Sequence, residues 1–181
     1  MSSLVEAFMN EPELAFIPYP EFVADVQAVA AALEQDGWRP DHIVGIGRGG
    51  LVPAAYLSHR TGISLLSIDY SSGVPSFAQE LMEKLAIATR DGRTILIVDD
   101  INDSGGTIED LRKSLLDHGA VGERVRVAVL IDNLRSAATV DYRSRTIDRS
   151  NDKRWFVFPW EAMAERRTLL EEADAVPQRL A

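Results

Sequence analysis

The sequence predicts an α/β fold with a mainly parallel sheet flanked by helices. Three observations carry that prediction: short aliphatic runs alternate with stretches of helical period, glycine marks most junctions, and Thr94–Val98 is an unbroken β-branched and aliphatic run, as in a strand covered on both faces. Sheets of this kind use right-handed crossovers and bind ligands beyond the carboxyl ends of their strands.

Residues 1 to 20 hold Pro12, Pro18 and Pro20 without a sustained period and read as an irregular arm, with at most a short helix around Leu4 to Met9. Phe22, Val26, Val29, Ala30 and Leu33 then fall at helical spacing, and Gly37 closes that helix. His42 to Ile46 is a short strand ending in a glycine-rich turn, Leu51 to Arg60 the helix after it, and Ser64 to Ile68 the next strand. Asp69 to Pro75 is polar and turn-rich and reads as mobile; a helical pattern follows from Phe77 to Ala88. After the strand Thr94–Val98 comes the acidic, glycine-rich segment Asp99 to Thr107. Ile108, Leu111, Leu115 and Leu116 mark a helix capped by Gly119, Val125 to Ile131 a strand, Arg154 to Phe158 another, and Trp160 to Ala173 a final helix. No repeat or linker divides the chain, so 1–181 reads as one domain: arm and first helix to residue 40, core from 42 to 158, C-terminal helix and tail from 160.

Composition narrows the function. The 181 residues are 46% hydrophobic and 26% charged, enough for one sizeable core. A formal net charge of -9 makes nucleic acid and anionic membrane poor partners. Without cysteine there is no disulfide, thiolate metal site or cysteine nucleophile. The first ten residues lack a signal-peptide pattern and no apolar run is long enough to span a bilayer, so a cytoplasmic location is expected. His42, His59 and His118 have no partners at metal-ligand spacing.

Two loops carry chemistry. Gly45-x-Gly47-x-x-Gly50 lies between a strand and a helix, with Asp69 at the end of the next strand, which fits a dinucleotide fingerprint, with a tight turn without ligand as the alternative. The second loop, Asp99-Asp100-Ile101-Asn102-Asp103-Ser104-Gly105-Gly106-Thr107, sets carboxylates before a run of small and hydroxyl residues. Small residues let backbone N–H groups converge on a phosphate, the hydroxyls of Ser104 and Thr107 add donors, and the following helix offers its positive end. The carboxylates upstream suit vicinal hydroxyls or Mg²⁺. A sugar phosphate satisfies both halves.

From Ile95 to Thr107 the sequence resembles the signature of the type I phosphoribosyltransferases, which bind 5-phosphoribosyl-1-diphosphate (PRPP). Gly47-Arg48-Gly49-Gly50-Leu51-Val52-Pro53 is similar to the diphosphate-binding turn of the xanthine-guanine (6-oxopurine) members, and the resemblance spans roughly His42 to Glu161. It implies the fold of that family with a small base-binding hood, Mg²⁺ as cofactor, PRPP and a nucleobase as partners, and a homo-oligomer. It further implies that Arg48, Gly49 and Gly50 meet the diphosphate and that the turn carries a cis peptide at Gly47–Arg48. Asp99 and Asp100 would hold the ribose hydroxyls, with Asp100 on the metal side; strand termination is the alternative. Asp103 would exchange a proton with purine N7, with a helix N-cap as its alternative. Ser104, Gly105, Gly106 and Thr107 would cradle the 5′-phosphate.

By the same resemblance, Tyr70 and Ser71 belong to a mobile hood loop, and a plain surface loop is the alternative. Trp155 would stack on the base and Phe156 read its edge, against burial in a core. Glu161 would reach a second Mg²⁺. One departure stands out: where purine members place a lysine against the base O6, this chain has Asp132-Asn133, so Arg135 substitutes or the base carries a donor there. Other classes compatible with the motifs are a PRPP-binding regulator and a nucleotide-dependent oxidoreductase built on Gly45–Gly50.

Overall fold

A computed structural model describes residues 11–68 and 75–176. The chain forms two compact units, one of Ala24–Ile147 and one of Met1–Val23 with Asp148–Ala181. Tyr70, Ser71 and the Leu4 to Met9 segment lie outside the described residues.

In the larger unit, β2 (His42–Ile46), β3 (Ser64–Ile68), β4 (Ile95–Asn102), β5 (Val125–Asn133) and β6 (Tyr142–Ile147) make a wholly parallel sheet in the order β3-β2-β4-β5-β6. Alternate strand residues face opposite layers. Val44, Ile97 and Val127 join Met82 and Leu85 of α3 (Pro75–Arg90) and Ile108, Leu111 and Leu115 of α4 (Gly106–Asp117) in one buried cluster. Val98, Ala128 and Leu130 meet Val26 and Val29 of α1 (Tyr19–Asp36) and Pro53 and Leu57 of α2 (Gly47–Thr61) on the other face. Apolar cover on both faces is why Thr94–Val98 reads as a continuous run.

The sequence reading missed β6. It runs Tyr-Arg-Ser-Arg-Thr-Ile and follows β5 through residues 134–141 without a helix, whereas parallel neighbours are usually joined by one. As the edge strand it carries charge: Arg145 pairs with Asp25 of α1 at 3.1 Å, and Ser144 Oγ donates to Asp25 Oδ1 at 2.6 Å. Near the start of β5, Arg126 lies over the Trp38 ring at 4.6 Å and bonds both Asp36 and Tyr142, whose hydroxyl donates to Asp36 Oδ2 at 2.8 Å.

The smaller unit pairs β1 (Leu14–Phe16) with β7 (Trp155–Val157) in parallel. The arm expected to be irregular thus contains a strand, because Trp155 N–H donates to Glu13 O and Ile17 N–H to Val157 O. Phe158 and Phe22 are buried; the Trp160 ring stacks on Phe158 at 4.8 Å and meets Phe22 edge-on at 5.3 Å. The final helix is shorter than expected. A 3-10 turn at Glu161–Met163 and extended Ala164 and Glu165 delay α5 until Arg166–Asp174.

Candidate active site

Strand order locates the site. The chain leaves β2 for β3 on one side and crosses through α3 to β4 on the other, so the topological switch falls between β2 and β4, whose carboxyl ends carry the two glycine-rich segments.

The first segment is the start of α2 rather than a loop before it. Gly47 takes φ +52°, and there is no cis peptide among the described residues, which corrects the expectation at Gly47–Arg48. A glycine at positive φ reverses the chain sharply with a trans bond. Beyond it, Gly50 presses on β4: a Cβ there would collide with the Val98 carbonyl oxygen and stand 3.1 Å from Asp99 Cα. A Cβ on Gly49 would lie 2.5 Å from Asp100 Oδ2. Arg48 is exposed on the same turn.

Asp99 and Asp100 lie inside β4, not beyond its end. Asp99 and Ile101 pair with Val129 and Ile131 of β5, so the ladder continues past the acids, and they do not terminate the strand. Asp100 N–H donates to Asp99 Oδ1 at 3.0 Å, and Ile101 N–H to Asp100 Oδ1 at 2.7 Å. Burial pushes the Asp99 carboxyl up to about 7; burial, then the charge of Asp99, drives that of Asp100 well above the usual carboxylate range. Two adjacent hard oxygen donors, both costly to ionise without a cation, fit Mg²⁺, which takes one or two protein carboxylates and completes its shell with water and phosphate. Among the described residues no group of three or more His, Cys, Asp and Glu forms a protein-only cage.

Residues 103–107 follow at once. Gly105 is the N-cap of α4 at φ +92° and brings no side-chain cap, so Asp103 does not occupy the N-cap position. Gly106 N–H donates a long bond to Ser104 Oγ, at 3.4 Å. Ser104, Gly106 and Thr107 are exposed, Asp103 half-buried. The helix start therefore presents N–H groups and its positive end where an anion is best received.

Asp132 lies within β5 and is buried. Its Oδ1 accepts from Asn102 Nδ2 at 2.8 Å, and its Oδ2 is 3.7 Å from Arg143 Nε. Asn133 Nδ2 donates to the Asp103 carbonyl at 2.9 Å, and Arg135 N–H to Asn133 Oδ1 at 3.2 Å. Asn102 was missed in the sequence because a polar residue at a strand end looks like the start of any loop.

The phosphoribosyl transferase domain family matches residues 17–165. The chain belongs to the phosphoribosyltransferase family. This phosphoribosyltransferase is 28% identical over 151 residues to the xanthine-guanine phosphoribosyltransferase of Gluconobacter oxydans (strain 621H), across 81% of this chain and 84% of that protein. Its fold is shared by a purine phosphoribosyltransferase from Pyrococcus horikoshii Ot3, with a TM-score of 0.60 and 24% identity over 84% of this chain and 97% of the other. A hypothetical protein from Neisseria gonorrhoeae with bound ppGpp gives a TM-score of 0.65 and 23% identity over 91% and 97%. Membership in this family replaces the oxidoreductase reading of Gly45–Gly50.

Of the residues expected to meet the base in this phosphoribosyltransferase, Trp155 and Phe156 lie in the smaller unit and Asp132 in the larger. Phe156, half-buried, has the Arg149 and Arg154 guanidinium carbons 5.3 and 5.6 Å from its ring centroid. Trp155 is half-buried, and its buried Nε1–H has no acceptor among the described residues. Glu161 Oε2 accepts the Phe158 N–H at 2.8 Å, a local bond that ties down the 3-10 turn. No described helix is long and apolar enough to cross a membrane.

Proposed function

We propose that this phosphoribosyltransferase transfers the 5-phosphoribosyl group of PRPP to a purine in an Mg²⁺-dependent reaction, releasing diphosphate and forming a nucleoside 5′-monophosphate. The observation that carries the reading is the adjacent carboxylate pair Asp99–Asp100 inside β4, packed against Gly49 and Gly50 and followed directly by the Gly105 N-cap of α4. Each part of PRPP has a matching group. Carboxylates of Asp99 and Asp100 accept the ribose hydroxyls; first-turn N–H groups of α4 with the Ser104 and Thr107 hydroxyls receive the 5′-phosphate; Arg48 with backbone at Gly49 and Gly50 meets the diphosphate. Asp100 would hold Mg²⁺, which would supply charge neutralisation for the departing diphosphate. Asp103 exchanges a proton with the base nitrogen opposite the bond being made or broken. Trp155 and Phe156 take the base in the hood, Tyr70 and Ser71 belong to the loop that covers the reacting carbon, and Glu161 attends a second Mg²⁺.

The favoured acceptors are xanthine and guanine, in line with the named relative, together with hypoxanthine as a further 6-oxopurine. Family resemblance also suggests a cytoplasmic homo-oligomer. The test is diphosphate release by purified protein with Mg²⁺, PRPP and, in turn, xanthine, guanine, hypoxanthine and adenine. Release with at least one 6-oxopurine is expected. Release with none of the four sinks the reading; if PRPP still raises the melting temperature, the protein is a PRPP-binding regulator instead.

A further inference from the structure

Asn102 is the last residue of β4, one position before Asp103, and only 2% exposed. Its amide is fully engaged. Nδ2 donates to Asp132 Oδ1 at 2.8 Å and to the Ala138 carbonyl at 2.9 Å, while Oδ1 accepts from Ser136 Oγ at 2.8 Å. All three partners lie on the end of β5 or on residues 134–141, which connect it to β6.

That connection meets the acidic loop at further points. Asn133 Nδ2 bonds the Asp103 carbonyl at 2.9 Å, Ala137 N–H bonds the Ser104 carbonyl at 3.1 Å, and a Cβ on Gly105 would stand 2.5 Å from Ala138 N and 2.7 Å from Ser136 Oγ. On its far side the connection is tied to α4 and β5, since Arg112 Nη1 donates to Thr139 O at 2.8 Å and Val127 N–H to Asp141 Oδ2 at 2.8 Å. Residues 133–138 thus form a wall against which the loop is stapled.

An apolar side chain could fill the Asn102 position at little cost if its partners were apolar too. What the amide adds is direction, because three hydrogen bonds, two of them buried, hold the β4 terminus against three separate positions of the neighbouring chain at once. We infer that Asn102 is a positioning residue which, with Asp132 and Ser136, holds residues 103–107 in the shape that receives the 5′-phosphate of PRPP. The inference rests on reading 103–107 as the phosphate loop. It also gives Asp132 a supporting role, since its carboxylate anchors the amide and is not the reader of the base edge.

The two roles separate in kinetics. A brace for the phosphate loop acts on PRPP, whereas a base reader acts on the purine. Steady-state constants for both substrates are measured for wild type, N102A, D132A, D132N and S136A, alongside thermal unfolding. N102A and D132A are expected to raise the KM for PRPP about tenfold, with the KM for the base within about twofold of wild type. D132N keeps an oxygen acceptor for Asn102 and should recover most of the PRPP affinity that D132A loses.

If N102A shows no cooperative unfolding transition, S136A carries the test: it removes one hydroxyl from the same network, and about a threefold rise in the KM for PRPP is expected. An unchanged KM for PRPP in the folded variants overturns the inference, as does a rise confined to the base. Wild-type protein that turns over no PRPP instead overturns the functional reading beneath it, so the two failures are distinct.

Discussion

Gly49 and Asp100 share one tight contact: a Cβ on the glycine would stand 2.5 Å from the carboxylate Oδ2. The first turn of α2 and the acidic end of β4 therefore form one packed arrangement, joined where backbone meets side chain.

That contact makes the two glycines separable. Gly49→Ala displaces the Asp100 carboxylate and is expected to lower kcat/KM for PRPP by at least about tenfold, with the melting temperature changed little because a side chain can yield. Gly50→Ala meets the Val98 carbonyl oxygen, which is backbone within the central sheet. It should cost roughly 2–4 kcal/mol of stability, read by denaturant unfolding.

Stability should depend on pH in a direction opposite to ordinary acid denaturation. The folded Asp99 carboxyl titrates near about 7 and Asp100 also lies well above its usual range, while both ionise near about 4 in the unfolded chain. Between those values the folded protein binds more protons than the unfolded one, so stability falls as pH rises and the Asp99 contribution is lost once pH passes about 7. The melting temperature of metal-free protein is expected to drop between about pH 5 and about pH 8, and Asp99→Asn to flatten that drop. A rise across the same window would show that burial does not govern this pair.

Asp103 is half-buried on the loop before α4, whose N-cap is Gly105, so its isosteric amide should leave the fold intact. Asp103→Asn is expected to lower kcat roughly 10²-fold, within the range that general acid–base groups supply. The KM for PRPP and the melting temperature should stay near wild type. A fall in melting temperature matching the fall in rate would assign the residue to structure.

Gly105→Ala combines a left-handed backbone with a clash against Ala138 N and Ser136 Oγ. It should destabilise the protein by about 1–3 kcal/mol and weaken PRPP binding, because the loop must lift from the 133–138 wall. Thermal unfolding and a PRPP titration check the two effects separately.

Much of the core was legible in the chain. His42–Ile46 and Ser64–Ile68 form strands with the expected limits, and β4, β5, α3 and α4 differ only in their ends. The shifts have physical causes. Asp99 to Asn102 stayed in β4 because β5 supplied ladder partners that local polarity could not foretell. Helix α2 began at Gly47, ahead of Pro53, although glycine and proline ordinarily punctuate helices. Leu14–Phe16 became a strand only because Trp155–Val157 lies beside it, far away in sequence.

For the site, the spacing of Asp99, Asp100, Asp103 and the Ser104–Thr107 run was sufficient to point to the family, since backbone donors, hydroxyls and carboxylates at consecutive positions act through local geometry. The chain by itself thus determined the alternating α/β layout and the family, properties set by period and by neighbours in sequence. Tertiary structure alone decided that Gly49 faces Asp100, that Asp132 is committed to Asn102, and that residues 133–138 back the loop. These depend on which strands lie side by side, and the pairing of groups far apart along the chain is fixed by the sheet order and not by any local pattern.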